Sequence, residues 1–88
     1  MSLAEYKRRA MQCTTFEVEH HRWPDRTGPR VVDSITATRI RGRRPGADRQ
    51  ETDTPWPKAR ECRIDGNRIT FLHRDGEPFY TYVFPFTD

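Results

Sequence analysis

Long apolar runs are missing from this 88-residue sequence, and aliphatic side chains are sparse throughout. Hydrophobic residues make up 33% of the chain and charged residues another 33%, which lies toward the polar edge of globular sequences. The longest apolar run is far shorter than the roughly 18 to 20 residues that cross a membrane, and no segment has the apolar core of a secretory signal. Ten aromatic residues nevertheless argue against disorder throughout. We therefore expect a single small domain over residues 1–88, with a compact core and loose polar segments.

Closely spaced metal ligands and catalytic motifs are also absent. The two cysteines, Cys13 and Cys62, stand far apart, and no C-x2-C or H-x3-H pair occurs. His20 and His21 are adjacent, so in a strand they point to opposite faces and do not readily share an ion. No G-x-S-x-G elbow is present. The sequence therefore predicts no metal, no cofactor and no enzyme activity, and it predicts reduced, buried thiols in a cytoplasmic protein.

Arginine is abundant where lysine is scarce, since Lys7 and Lys58 are the only lysines among 16 basic residues. The segment TRIRGRRPGADRQ, residues 38–50, holds five arginines against one acidic residue, a local charge of +4. The whole chain carries +3, so the remainder sums to −1 and the basic character is local. Arginine suits bidentate contacts with phosphates and base edges. The predicted nucleic-acid-binding residues are Arg39, Arg41, Arg43, Arg44 and Arg49.

Two simpler interpretations of the arginine-rich segment stay open. A GC-rich genome raises arginine, alanine, glycine and proline together without any function, and the segment is also consistent with a solvated loop. Asp48, Glu51 and Asp53 follow closely and weaken the positive field within a Debye length of about 8 Å. The segment has no aromatic stacking platform, Trp56 being the nearest, although single-strand binders normally combine a basic groove with stacking.

A helix is predicted over residues 1–13. Ser2 and Glu5 have the spacing of a capping box, in which each side chain bonds the backbone N–H of the other residue. An apolar stripe then recurs at helical spacing; it consists of Leu3, Tyr6, Ala10 and Cys13, with Met11 beside it. An isolated helix of this length is marginal in water, so the stripe is expected to cover a sheet.

Two strands and a long loop are predicted in the middle of the chain. Phe16, Val18 and His20 alternate with polar residues over 14–22, as in a half-buried strand. Residues 31–40 form a second β-rich segment. Residues 42–57 contain three prolines and almost no aliphatic side chain, which predicts a long loop that is either functional or disordered.

The C-terminal third predicts a three-stranded meander, with tight turns at Gly66-Asn67 and Asp75-Gly76. Two-residue turns would pair Ile64 with Ile69, Cys62 with Phe71, Phe71 with Tyr80, Ile69 with Tyr82, and Leu72 with Phe79. The fold class expected is therefore α+β. An N-terminal helix would pack on a small, mostly antiparallel sheet, or on a partly open barrel, of about five strands ending in the meander.

Three functions are compatible with these features. The first is a small non-enzymatic binding module whose arginine-rich loop contacts nucleic acid or a nucleic-acid-bound assembly. The second is a protein-protein adaptor, inhibitor or assembly protein, of the kind that accompanies mobile elements or virions, which would use Trp56, Leu72, Phe79 and an exposed strand edge. The third is a cofactor-free ribonuclease, with His73, Arg74 and Tyr80, or His20, His21 and Arg22, moving protons at a phosphate.

Overall fold

The computed structural model describes residues 1–87, which form one curled antiparallel sheet of seven strands with a short helix on its concave side. Helix α1 spans Leu3–Ala10. The strands are β1 (Thr15–His20), β2 (Gly28–Ile35), β3 (Arg39–Arg43), β4 (Thr52–Pro55), β5 (Cys62–Asp65), β6 (Arg68–Leu72) and β7 (Pro78–Val83). Their order is β4-β3-β2-β1-β7-β6-β5. The sheet is therefore a half-barrel, split between β4 and β5. Within residues 1–87 no helix is long and apolar enough to cross a membrane.

The core lies on the concave side, where alternate residues of each strand point inward. Phe16 and Val18 of β1 are buried, as their alternation predicted. The buried apolar set is Tyr6, Ala10, Phe16, Val18, Ile40, Trp56, Cys62, Ile69, Phe71, Tyr82 and Phe84. The Thr54 and Tyr82 hydroxyls lie 2.8 Å apart and join β4 to β7 across the concave side. The curl thus encloses an aromatic interior that a flat sheet would expose.

The prediction of about five strands is wrong, because residues 31–40 form parts of two strands. Strand β2 ends at Ile35 and β3 begins at Arg39. Between them the Thr36 hydroxyl accepts hydrogen bonds from the backbone N–H groups of Thr38 (3.2 Å) and Arg39 (3.0 Å). A threonine hydroxyl can fix a turn in this way without glycine or proline. The sequence therefore gave no conventional turn signal at this point.

The predicted loop over residues 42–57 is also corrected, since it contains the end of β3 and all of β4. Thr52 and Thr54 face inward while Asp53 faces outward, so β4 alternates despite having no aliphatic side chain. The connection that remains, residues 44–51, turns at Gly46, whose φ is +79°. Residues 52–55 thus form a strand because they pair with β3, although their composition is typical of a loop.

The predicted register of the meander is confirmed across both pairs of strands. Ile64 lies opposite Ile69 and Cys62 opposite Phe71, and the next pair aligns Phe71 with Tyr80 and Ile69 with Tyr82. The exception is the predicted Leu72–Phe79 pair. A bulge places Leu72 opposite Pro78, since residues 73–77 form a longer loop closed by the bond from His73 N–H to the Glu77 carbonyl (2.9 Å).

Helix α1 is shorter than the predicted 1–13. The Ser2 hydroxyl accepts the predicted capping bond from the Glu5 N–H (3.1 Å), but the Glu5 carboxylate pairs with Arg9 instead of reaching back to the cap. Tyr6 and Ala10 are fully buried, whereas Met11 is 45% exposed. The Tyr6 hydroxyl donates to the Asn67 carbonyl (2.6 Å), which fastens the helix to the turn between β5 and β6.

Candidate nucleic-acid interface

Three of the predicted arginines lie in a row on the convex face of β3. Strand alternation turns Ile40 and Gly42 inward, so Arg39, Arg41 and Arg43 all point outward. Ile40 is fully buried, and this burial fixes the register. The arginine row is therefore a consequence of strand geometry and not of an irregular loop.

Carboxylates from the neighbouring strands neutralise this row. Asp53 of β4 accepts from Arg39 Nε at 2.7 Å and from Arg41 Nε at 3.3 Å. These bonds, chiefly the one from Arg39, hold the pKa of Asp53 below its ordinary value. Asp33 of β2 accepts from Arg43 Nε at 2.7 Å. The convex face thus carries a mixed-charge ladder in which each arginine already has a carboxylate partner.

Arg44 links the arginine-rich segment to a second loop. Its Nε donates to Glu51 (2.7 Å), and this bond is the main reason that the pKa of Glu51 is lowered. Its terminal nitrogen donates to the Asp25 carbonyl (2.6 Å), in the loop between β1 and β2. Arg49 forms no hydrogen bond or ion pair within residues 1–87. The segment around residues 44–49 therefore lies beside the residue 21–27 loop.

An exposed tryptophan lies in that loop. Trp23 is 45% exposed, and the guanidinium carbons of Arg22 and Arg26 lie 6.0 and 5.3 Å from its ring centroid. The loop is held in place because His20 Nδ1 accepts the backbone N–H groups of Trp23 (2.9 Å) and Arg22 (3.2 Å). A turn of 3-10 helix begins at Pro24, which supplies the fixed φ that suits a first helical position. Together, Trp23, Arg22 and Arg26 form what we call the Trp23 platform.

The sequence patterns described above assign no role to residues 23–29, WPDRTGP, and so do not predict this feature. The available signal was a tryptophan flanked by arginines within a Pro/Gly-rich loop. Loops held on a rigid scaffold carry a disproportionate share of binding residues. The structure thus places, beside the arginine-rich segment, the aromatic platform that the segment itself lacks. Arg22, Arg26 and Arg49 have no carboxylate oxygen within 4 Å among the described residues, unlike Arg39, Arg41, Arg43 and Arg44.

The residues predicted for a protein interface line a single depression of about 220 Å³ near the split in the half-barrel. Trp56 itself is only 8% exposed; its ring packs against Tyr6 and Phe84, and its Nε1 donates to the Thr36 carbonyl (2.9 Å). Leu72 and Phe79 are half-buried. Trp56 therefore forms the floor of the depression, and the two smaller side chains offer the accessible apolar surface.

The residues considered for a ribonuclease are divided between separate surface depressions. His73 and Arg74 share an open depression with His21 and Arg22, whereas Tyr80 lines other cavities. His21 Nε2 lies 2.8 Å from the Thr81 hydroxyl. No group of three or more His, Cys, Asp or Glu side chains within residues 1–87 is arranged to hold a metal ion. Cys13 and Cys62 are free thiols.

Comparisons of this chain with protein-family models, with curated proteins and with solved structures found no match.

Proposed function

We propose that the protein is a small non-enzymatic module that binds single-stranded nucleic acid at the Trp23 platform. The observation that carries this proposal is the exposed Trp23 ring between two arginines that have no carboxylate partner. Bases of any sequence stack on an aromatic face, and arginines beside the ring engage the phosphates that flank the stacked base. Such binding is tolerant of sequence, because stacking and phosphate contacts do not read base edges.

Arg49 belongs to the arginine-rich segment beside the platform, and no carboxylate oxygen of the described residues lies within 4 Å of it. The bond from Arg44 to the Asp25 carbonyl holds the arginine-rich segment against the Trp23 loop, so that a strand leaving Trp23 meets further positive charge. Arg39, Arg41 and Arg43 contribute less, since an incoming phosphate has to compete with Asp33 and Asp53 for them. The predicted binding set therefore moves from the strand arginines toward Arg22, Arg26 and Arg49.

The test is fluorescence anisotropy of a labelled oligothymidylate, titrated with protein over a series of salt concentrations. Neutralising three phosphates of a single strand gives a slope of log K against log[salt] of about −2. Replacing Arg22, Arg26 and Arg49 together by glutamine should bring this slope close to zero. Trp23→Ala should weaken binding by about 1 to 3 kcal/mol while leaving the slope nearly unchanged, because it removes stacking and no charge.

The matched control is the triple glutamine variant of Arg39, Arg41 and Arg43, which removes the same charge from the carboxylate-paired row. We expect it to retain most of the wild-type slope. Absence of binding at low salt contradicts the proposal. Equal loss of slope in the two triple variants also contradicts it, because that result would indicate net charge and not the platform.

A protein partner is the second candidate, favoured by the depression that brings Leu72 and Phe79 together over Trp56. Co-purification from the native host distinguishes the two candidates. A bound protein that survives nuclease and high salt, and is lost in Leu72→Glu, supports the protein interface. Recovery of nuclease-sensitive material supports the Trp23 platform.

A further inference from the structure

A polar cavity of about 180 Å³ opens at the end of the half-barrel, beneath the Trp23 loop. Its walls include the rings of His20, Trp23, Phe79, Tyr80 and Tyr82 and the side chains of Arg26, Arg30 and Glu51. Mouths of β-barrels are frequent sites for small ligands. The volume is below the roughly 300 to 1,000 Å³ of drug-sized pockets, so it accommodates a ligand of about one ring.

Arg30 is the charged group at the base of this cavity. It belongs to β2, points inward and is 2% exposed. Its terminal nitrogens donate to the carbonyls of Gly28, Pro29 and Arg26 at 3.1, 3.0 and 2.7 Å. Its Nε has no hydrogen-bond partner. Among residues 1–87 it is the only buried side-chain nitrogen or oxygen without one. A buried donor without an acceptor costs free energy, so Arg30 retains an unsatisfied donor next to the cavity.

The carboxylates at the rim of the cavity do not cancel this charge. Glu51 is bonded at 2.7 Å to Arg44, which lies outside the cavity, and its contact with Arg30 is long, at 3.5 Å. Asp53 is occupied by the arginines of β3. Arg26 has no carboxylate within 4 Å among the described residues. The cavity therefore presents two arginines whose charge is incompletely compensated.

Two neutral donors complete the lining. His20 Nδ1 accepts backbone N–H bonds, which leaves the hydrogen of the neutral ring on Nε2. Burial, assisted by Arg26, lowers the pKa of His20, so the ring is neutral near pH 7. Burial raises the pKa of the Tyr80 hydroxyl, which stays protonated. The His20 ring also lies 4.9 Å from Trp23 and 5.9 Å from Tyr80, so flat aromatic surfaces adjoin the donors.

We propose that this cavity binds a small planar aromatic carboxylate, with its carboxylate toward Arg30 and its ring among His20, Trp23 and Tyr80. The cavity shares Trp23 and Arg26 with the Trp23 platform, but it takes a single-ring anion into the interior, whereas the platform holds an extended strand on the surface. Guanidinium and hydroxyl donors match carboxylate oxygens. Aromatic walls favour a flat ring through offset and edge-to-face packing.

The test is an NMR titration of the whole protein with benzoate, with benzyl alcohol as the neutral probe and cyclohexanecarboxylate as the non-planar anion. We expect saturable shifts at His20, Trp23 and Tyr80 with benzoate. Benzyl alcohol should bind at least about tenfold more weakly, because its group lacks the charge that strengthens bonds to donors. Cyclohexanecarboxylate should bind more weakly than benzoate, because it lacks the flat face.

Arg30→Met should weaken benzoate binding at least about tenfold, with Arg63→Met as a matched control outside the cavity. Because Arg30 also bonds three carbonyls, Tyr80→Phe provides a second variant that removes only a hydroxyl; it should weaken binding roughly fivefold. Tyr6→Phe removes a buried hydroxyl on α1, outside the cavity lining, and should bind like the wild type. No saturable shift with benzoate, or equal affinity in wild type and Tyr80→Phe, overturns the proposal. Neither result bears on oligonucleotide binding, which uses a different probe.

Discussion

Replacing Gly42 by alanine is expected to destabilise the half-barrel through steric overlap. Gly42 is buried on β3, between β2 and the edge strand β4, and its φ is not in the positive range, so the backbone accepts alanine without strain. An added Cβ would lie 2.8 Å from the Val31 carbonyl oxygen and 2.9 Å from Cε1 of Phe16. Neither atom moves freely, because Val31 lies in the adjoining strand and Phe16 packs at 5.1 to 5.2 Å against Phe84 and Tyr82.

The cost can be bounded from these contacts. Overpacking a filled core costs about 1 to 3 kcal/mol, and replacing glycine by alanine returns about 0.4 to 1 kcal/mol through the unfolded chain. The net loss therefore lies between about 0 and 2.6 kcal/mol, and its central value of about 1.3 kcal/mol lowers Tm by roughly 5 to 10 °C for a chain of this size. Urea unfolding, followed by circular dichroism, measures the free energy of unfolding directly.

A second substitution tests whether steric overlap with Phe16 causes the loss of stability in Gly42→Ala. Phe16→Leu removes the ring atoms that the new Cβ meets. The loss of stability in the double variant should therefore be smaller than the sum of the losses in the two single variants. The Val31 carbonyl stays in place, and the rescue is therefore expected to be partial. Gly46→Ala is the contrasting variant, because nothing lies within 4 Å of its Cβ and only its φ of +79° is unfavourable. A Gly42→Ala protein as stable as the wild type, or strictly additive losses in the double variant, refutes the reasoning.

Two further predictions concern single contacts. The Thr54 and Tyr82 hydroxyls share one hydrogen bond across the concave side. In a double-mutant cycle of Thr54→Val and Tyr82→Phe, urea unfolding should therefore give a coupling free energy of about 0.5 to 1.5 kcal/mol. Additive losses of stability would show that this bond does not stabilise the curled sheet. Glu19 pairs with Arg68, and this bond lowers the pKa of Glu19. The lowered pKa means that the stabilisation is present above the ordinary glutamate pKa of about 4.3 and is lost as the pH falls through the lower, folded-state value. Wild type should be more stable than Arg68→Gln by about 0.2 to 1 kcal/mol near neutral pH, as is typical of an exposed pair. This difference should vanish in acid, and a difference that persists at pH 2 contradicts the assigned role of the Glu19–Arg68 pair.

Local signals were sufficient for the first strand and for the meander. Phe16 and Val18 alternate with charged residues, and a half-buried strand is the structure that such a period favours. Gly66-Asn67 is a two-residue turn whose register can be counted outward along both strands. The Asp75-Gly76 turn led to the correct pairing of Phe71 with Tyr80, although the loop is longer and a bulge displaces Leu72. Side-chain period and turn chemistry are encoded by neighbours in sequence, which makes them predictable.

The remaining strands depend on partners that are distant in sequence. Strand β4 has a composition typical of a loop, and β3 gives it the hydrogen bonds that make it a strand. The turn at Thr36 depends on one hydroxyl, which has no distinctive pattern in the sequence. These two features account for the difference between about five predicted strands and the seven of the half-barrel.

By itself, the sequence determined a cluster of arginines, an aromatic-rich apolar set and the register of the C-terminal hairpins. Only the tertiary structure decided which arginines have a carboxylate partner and which do not. Asp33, Asp53 and Glu51 lie on neighbouring strands or across a loop from the arginines that they neutralise. The structure also bonded Arg44 to the loop that carries Trp23 and enclosed Arg30 beside a cavity. Charge and side-chain period are properties of the chain, whereas ion pairing and burial depend on distances that the curl of the sheet sets.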